Sequence, residues 1–177
     1  MEMMELGSSG EQIPRIGYGT WMHLGDAATI QELADFLEVP TGKTLKAVFY
    51  MANGETVFVT IRGDLEVNET KLANVLEATD LRLATPEEVE HAGLVAGSAS
   101  PVGLAGIKRV GDDSIDLGSN FIVGANKEGY HLRNANHPRD FDVDVMTDIA
   151  FAEEGHLCTV CQEPLTLRRG IEVGHIF

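Results

Sequence analysis

Asn53-Gly54, set between two β-rich runs, constrains the fold more than any other feature of this chain. Residues 45–51 and 56–61 are dense in branched and aromatic side chains. An Asn-Gly pair tolerates the positive φ that a tight hairpin needs at both of its central positions. An antiparallel strand pair is therefore expected near residues 45–61. Amphipathic helices are expected around it. Ile30, Leu33, Ala34 and Leu37 recur at i, i+3, i+4 and i+7, Thr29 and Glu32 fit a capping box, and Pro40 closes the segment. Residues 68–76 read as a second helix, capped by Asn68, with Leu72, Val75 and Leu76 on one face. Thr85-Pro86-Glu87-Glu88 starts a third, with proline in the first turn and Glu88 completing a capping box.

Short strands are expected at 81–84, 107–110, 114–117, 121–123 and 130–133, and a β-like run at 165–167. Residues 93–106 hold four glycines and Pro101 among small side chains. With no helical or strand period, they read as a tight loop rich in exposed backbone. Residues 142–151 show no clear pattern. Residues 1–28 carry scattered glycines and read as a tail or linker, with a short ordered piece near 16–24. The main domain is placed at 29–155, followed by a segment at 156–177. The strand–helix–strand rhythm of a doubly wound sheet is missing. The expected class is α+β, with a mixed, largely antiparallel sheet and flanking helices.

The chain has 177 residues, enough for one domain with a real core. No apolar stretch approaches the ~20 residues of a membrane helix. Residues 1–10 are acidic and rich in glycine and serine rather than basic then apolar, so no secretory leader is expected and a cytoplasmic location is. Lys and Arg number 13 against 28 Asp and Glu, a net charge of −15. A free-standing nucleic-acid binder normally presents a basic surface, because neutralised phosphates drive its affinity. Any nucleic-acid ligand of this chain must be held mainly by something else. The two cysteines form one CxxC, Cys158 to Cys161. That is half of a zinc ribbon, which His156 or His175 would have to complete. It also suits a reduced structural turn, the reading adopted, and no metal site is assigned.

Several separated segments resemble, in order, the insertion (editing) domain of bacterial-type prolyl-tRNA synthetases and the related Cys-tRNA(Pro) deacylases. They are Lys43-Thr-Leu-Lys46-Ala-Val, then Arg62-Gly-Asp-Leu-Glu-Val-Asn68-Glu-Thr-Lys71-Leu, and then the 97–103 loop with its Ser-Pro-Val-Gly. Asn120-Phe-Ile-Val-Gly124-Ala125-Asn126, Gly129-Tyr-His131 and Arg139-Asp140 follow. Last comes Arg169-Gly170-Ile-Glu-Val-Gly-His-Ile-Phe177, which looks like the place where such a synthetase leaves its insertion and re-enters its catalytic domain. The resemblance covers roughly residues 29–177.

It implies the editing-domain fold and hydrolysis of mischarged Ala-tRNA(Pro). Alanine is smaller than proline, and each missing methylene is worth only about 1–3 kcal/mol of discrimination in a pocket built for proline. A second, smaller site corrects the error. The resemblance also implies that the tRNA(Pro) 3′ end is presented by a parent synthetase, homodimeric in this reading, which answers the charge objection. No cofactor is expected for editing, since ATP and Mg would belong to the synthetase domain. Trans-editing of another mischarged tRNA, such as Cys-tRNA(Pro), and a purely structural insertion are the alternatives.

Three residues match family positions that bear on deacylation. Lys46 matches the lysine that meets the tRNA 3′ end; read by itself, it would be an edge-strand lysine that discourages aggregation. Asp112 sits in a turn where Asp113 is the neighbouring alternative. His131 lies in mid-strand, where most histidines are structural. Gly97, Ser98, Pro101 and Gly103 are expected to shape the amino-acid pocket, since glycines let backbone approach a ligand closely. Gly124, Ala125 and Asn126 are expected as another wall. No general base is assigned. Lys43 reads as a surface charge. A threonine that relatives carry before the first helix has no counterpart around residues 22–25.

Overall fold

The structure, a computed structural model, describes residues 29–94, 97–127, 130–158, 161, 163–168 and 170, together with the strands at 3–5, 12–14 and 22–23. Strand β1 (Met3–Glu5) pairs antiparallel with β2 (Gln12–Pro14), and β3 (Met22–His23) joins β9 (Tyr130–Ala135). The segment 1–28 was expected as a tail or linker, and these three short strands fall within it.

The Asn53-Gly54 hairpin forms as expected. β4 (Leu45–Ala52) and β5 (Glu55–Arg62) run antiparallel, with φ of 51° and 86° at the two turn residues. The Asn53 carboxamide oxygen also accepts from the backbone N–H and hydroxyl of Thr79 and from the N–H of Asp80, tying the hairpin to the next connection. The central sheet has the order β10-β7-β5-β4-β6. Its other members are β6 (Leu81–Leu83), β7 (Lys108–Asp112) and β10 (Val145–Thr147). β6 lies antiparallel to β4, whereas β7 lies parallel to β5 and β10 parallel to β7. A second, antiparallel sheet of order β3-β9-β8 is completed by β8 (Phe121–Gly124). The class is α+β with mixed sheets, as the patterning implied.

The three helices follow their sequence signals. α1 (Ile30–Phe36) and α3 (Pro86–His91) both carry complete capping boxes, from Thr29 with Glu32 and from Thr85 with Glu88. α2 (Glu69–Leu76) is capped by Asn68, whose side chain accepts from the N–H groups of Thr70 and Lys71. α2 covers one face of the central sheet: Leu72 is fully buried among Val59, Val110, Tyr50 and Ile149. α3 and the glycine-rich loop cover the other face. There Val89 and Ala99 pack on Phe49 and Phe58, whose rings meet edge-on at 5.3 Å.

Two expected strands are absent. Residues 113–115 form a 3-10 turn, because the Asp112 carboxylate accepts the N–H of Ser114 and nucleates the turn in place of an extended run. Residues 165–167 form no strand and are exposed; an isolated bridge, Leu157 to Pro164, and the backbone hydrogen bonds of Leu165 with Gly155 and His156 hold this segment. The patternless 142–151 segment contains β10. No helix among the described residues is long and apolar enough to cross a membrane.

One junction positions the site. Among the described residues the two sheets share one backbone bridge, Thr44 to Ile122, just before β4, and Leu45 packs beside it on Phe121 and Val123. On that side of β4, β6 pairs only with Tyr50–Ala52, and Ala84 donates to the Phe49 carbonyl. Residues 45–48 therefore form an edge between the bridge and β6. A gap opens there between β4 and the second sheet.

Candidate functional site

That gap is a pocket of about 220 Å³. Its lining comes from α1 (Thr29, Ile30, Leu33), four consecutive residues of β4 (Leu45, Lys46, Ala47, Val48), the glycine-rich loop (Gly97, Ala99), β8 (Gly124) and β9 (His131). Successive strand side chains point to opposite faces, so four in a row can line one pocket only where it wraps the strand's edge. The packing agrees: Val48 joins Tyr50 under α2, and Ala47 joins Phe49 under α3. The Gly63–Thr44 and Ala84–Phe49 hydrogen bonds set the ladder's phase. That phase turns the N–H and C=O of Ala47 away from β5, toward the open edge.

Lys46 reaches the pocket from the α2 face. Its ammonium is paired with the carboxylate of Glu66, and the side chains are 17% and 70% exposed. The lysine is held in place, while its partner is free to swing into solvent. Tyr50 lies next to the same group. Burial, reinforced by Glu69 and then Glu66, pushes its phenol up to about 12, so it stays protonated.

His131 enters from β9. Its Nδ1 is buried with no hydrogen-bond partner, and burial lowers the pKa of the ring below the usual histidine value. It is a neutral imidazole at pH 7. The unfolded chain binds this proton first as pH falls, so stability drops as pH passes below the unfolded value of about 6.5. A ring titration followed by NMR is expected to give a midpoint below that value. His131→Asn is expected to remove this share of the acid sensitivity.

The 97–103 loop is held from behind. The Asn126 carboxamide accepts the Ser100 N–H at 2.7 Å and donates to the Val102 carbonyl, and the Asn126 N–H donates to the Ser98 carbonyl at 2.8 Å. Gly124 lies flat against this loop. A Cβ there would stand 2.6 Å from the Ser98 carbonyl carbon and closer still to the carbonyl oxygens of Ser98 and Ala99. Gly97 and Gly103 adopt φ of 79° and 76° at the loop's two ends.

Of the residues singled out in the sequence, Lys46, His131, Gly97 and Gly124 thus line one pocket. Ser98, Pro101, Gly103, Ala125 and Asn126 are not in its lining. Ser98 and Pro101 are buried, and Asn126 braces the loop. Asp112 stands apart: it is 1% exposed, and its two carboxylate oxygens accept the N–H groups of Ser114 and Ile149. The geometry gives it a structural task, and it does not line the pocket. Asp112→Ala would orphan two buried donors, at about 1–3 kcal/mol each. It is expected to lower the unfolding midpoint while leaving the Lys46–His131 pocket intact, as paired melting and activity assays would show. Thr29, Ile30, Leu33, Leu45, Ala47, Val48 and Ala99 were not anticipated. The α1 stripe reads as core, and its helical period carries no sign that one end faces a cavity.

Cys158 and Cys161 are not in a disulfide, and the described residues hold no group of three or more metal-ligating side chains. His175 and most of the 169–177 segment lie outside the described residues, as does Gly129.

The fold and pocket define a small α+β domain with a lysine, a neutral histidine and glycine-bearing walls on one strand edge. The family profile of aminoacyl-tRNA editing domains matches residues 25–141. The chain belongs to the aminoacyl-tRNA editing domain family. It is similar to the proline--tRNA ligase of Dehalococcoides mccartyi, 57% identical over 148 residues, and to that of Thermotoga maritima, 47% identical over 150. Each match takes in 84% of this chain and 26% of the ligase, so the chain spans about a quarter of the length of these relatives. A solved structure described as a candidate trans-editing enzyme for prolyl tRNA synthetase shares the fold, with a TM-score of 0.64 at 19% identity over 74% of this chain and 85% of that one.

Proposed function

We propose that this chain hydrolyses the ester joining a mischarged amino acid to the 3′ end of a tRNA, that alanine on tRNA(Pro) is its substrate, and that it works as part of a proline--tRNA ligase. The observation that carries this reading is the convergence of Lys46, His131, Gly97 and Gly124 on one pocket with no acidic residue in its lining, on a chain of net charge −15.

The chemistry asks little of the protein. Water attacks the ester carbonyl carbon, a tetrahedral intermediate forms, and the ribose oxygen leaves with a proton. Lys46 is the fixed positive charge available to the RNA end or to the developing oxyanion. Donors held in place before the reaction are worth most in such a site. His131 presents a neutral imidazole to the pocket wall, a polar ring able to orient the substrate without adding charge. Gly97, Ala99 and Gly124 give the pocket small walls, which suit a small amino-acid side chain.

The test is amino-acid release from a panel of Ala-, Cys-, Ser- and Pro-tRNA(Pro), with the chain alone and joined to its parent ligase. Alanine release is expected to dominate and prolyl-tRNA to be spared. Faster release of cysteine would reassign the substrate. No release from any member, even within the parent, would sink the hydrolytic reading.

A further inference from the structure

Carboxylates outnumber cations in this chain by more than two to one, and most described cations are matched to one. Lys46, Arg62, Lys71, Arg82, Arg109 and Arg139 each hold an acidic side chain. Lys43 and Arg133 are among the described cations that do not. Lys43 donates to the Ser119 carbonyl at 3.0 Å, and half-buried Arg133 has neither a carboxylate nor a hydrogen bond among the described residues. Both line a second cleft, with Val39, Asn120, Ile122 and Asn134, and no acidic side chain takes part in that lining. A guanidinium with no carboxylate of its own, beside a cleft without acidic side chains, is free to form a charge-assisted hydrogen bond with an incoming anion.

The second cleft adjoins the first. Arg133 follows His131 by two residues on β9, so the two side chains share a face about 7 Å apart along the strand. One apolar cluster lies beneath both openings: Leu33 belongs to the pocket, Ile122 and Val39 to the cleft. From this arrangement we infer that Lys43 and Arg133 form a phosphate-binding subsite for the single-stranded RNA backbone leading into the pocket. The inference rests on the hydrolytic reading for its orientation: the terminal aminoacyl nucleoside occupies the Lys46–His131 pocket, and the preceding phosphates pass over Lys43 and Arg133. Lys43, a plain surface charge by sequence, thereby acquires a ligand.

The experiment measures binding of a non-aminoacylated, fluorescent single-stranded RNA ending in CCA to the full chain across a salt series. Lys43→Ala and Arg133→Ala are each expected to weaken binding roughly three- to tenfold at low salt. Each should also reduce the slope of log affinity against log salt by about 0.7, the value for one lost single-strand phosphate contact. Arg133→Lys is expected to keep the slope, because the charge stays. Unfolding midpoints of all variants check that the fold is unchanged. Unchanged RNA affinity in both alanine variants, no RNA binding by the full chain at low salt, or weakened binding with an unchanged slope would each overturn the subsite. The first of these would leave the cleft to a carboxylate on another protein surface. Because the RNA carries no aminoacyl ester, the outcome is independent of hydrolysis. A chain that binds with the expected slopes but releases no amino acid keeps the subsite and loses the hydrolytic function. A chain that releases alanine while both variants bind RNA normally keeps the function and loses the subsite.

Discussion

Lys46→Ala is expected to lower the rate of amino-acid release by about 10²–10³-fold, the usual effect of removing one preorganised stabilising donor from an ester-cleaving site. Little stability should be lost with it. Lys46 is paired to Glu66, a residue mostly in solvent, and ion pairs of that kind contribute about 0–1 kcal/mol. Once unpaired, the Glu66 carboxylate can hydrate. The unfolding midpoint and the activity are thus expected to separate: a near-native melt with a nearly inactive protein. Lys46→Arg is expected to rescue poorly, since a planar guanidinium cannot occupy the place of a compact ammonium at a narrow strand edge. Single-turnover alanine release from Ala-tRNA(Pro), with thermal melts alongside, is the measurement. Wild-type rates in Lys46→Ala would remove Lys46 from the mechanism.

Gly124→Val is expected to damage both the fold and the site. The Cβ alone would overlap the carbonyls of Ser98 and Ala99, and those are backbone atoms that cannot rotate aside. Either β8 or the 97–103 loop must move. Overpacking of this kind costs about 1–3 kcal/mol. A shift of about 1 Å in a pocket wall can cost about 10²-fold in rate. Gly103→Ala separates this steric effect from backbone strain. At Gly103 φ is 76° but no atom lies within 4 Å of an added Cβ, so only the left-handed penalty of about 1–2 kcal/mol applies. The expected order is a large activity loss in Gly124→Val and a small one in Gly103→Ala, read from release rates and unfolding midpoints of the two variants.

Local signals translated well into local structure. The Asn53-Gly54 turn, the capping boxes at Thr29 and Thr85 and the Asn68 cap all form, because each is a short-range hydrogen-bond or torsional preference that needs no distant partner. Two strand expectations failed where a local run was too weak to decide. At residues 114–117, the Asp112 side chain competes for the backbone. At 165–167, the described chain offers no sheet edge beyond one isolated bridge. β10 went unseen for the converse reason. Its residues have little pattern of their own and become a strand by lying parallel to β7, across more than thirty residues of intervening chain.

The same division runs through the site. By itself the sequence determined which segments are helical, where the hairpin turns, and which family the ordered motifs from Lys43 to Phe177 resemble. Only the tertiary structure decided which of those residues meet. It brought Lys46, Gly97, Gly124 and His131 to one strand edge, because the second sheet bridges the chain at Thr44, just before β4, and the backbone edge at residues 45–48 is left without a paired strand. It withdrew Asp112 into the core as a backbone acceptor, and it turned Lys43 and Arg133 toward a common cleft. Such placements depend on contacts between residues far apart in the chain. Their energies come from burial and charge pairing in the assembled fold, and no local pattern records them.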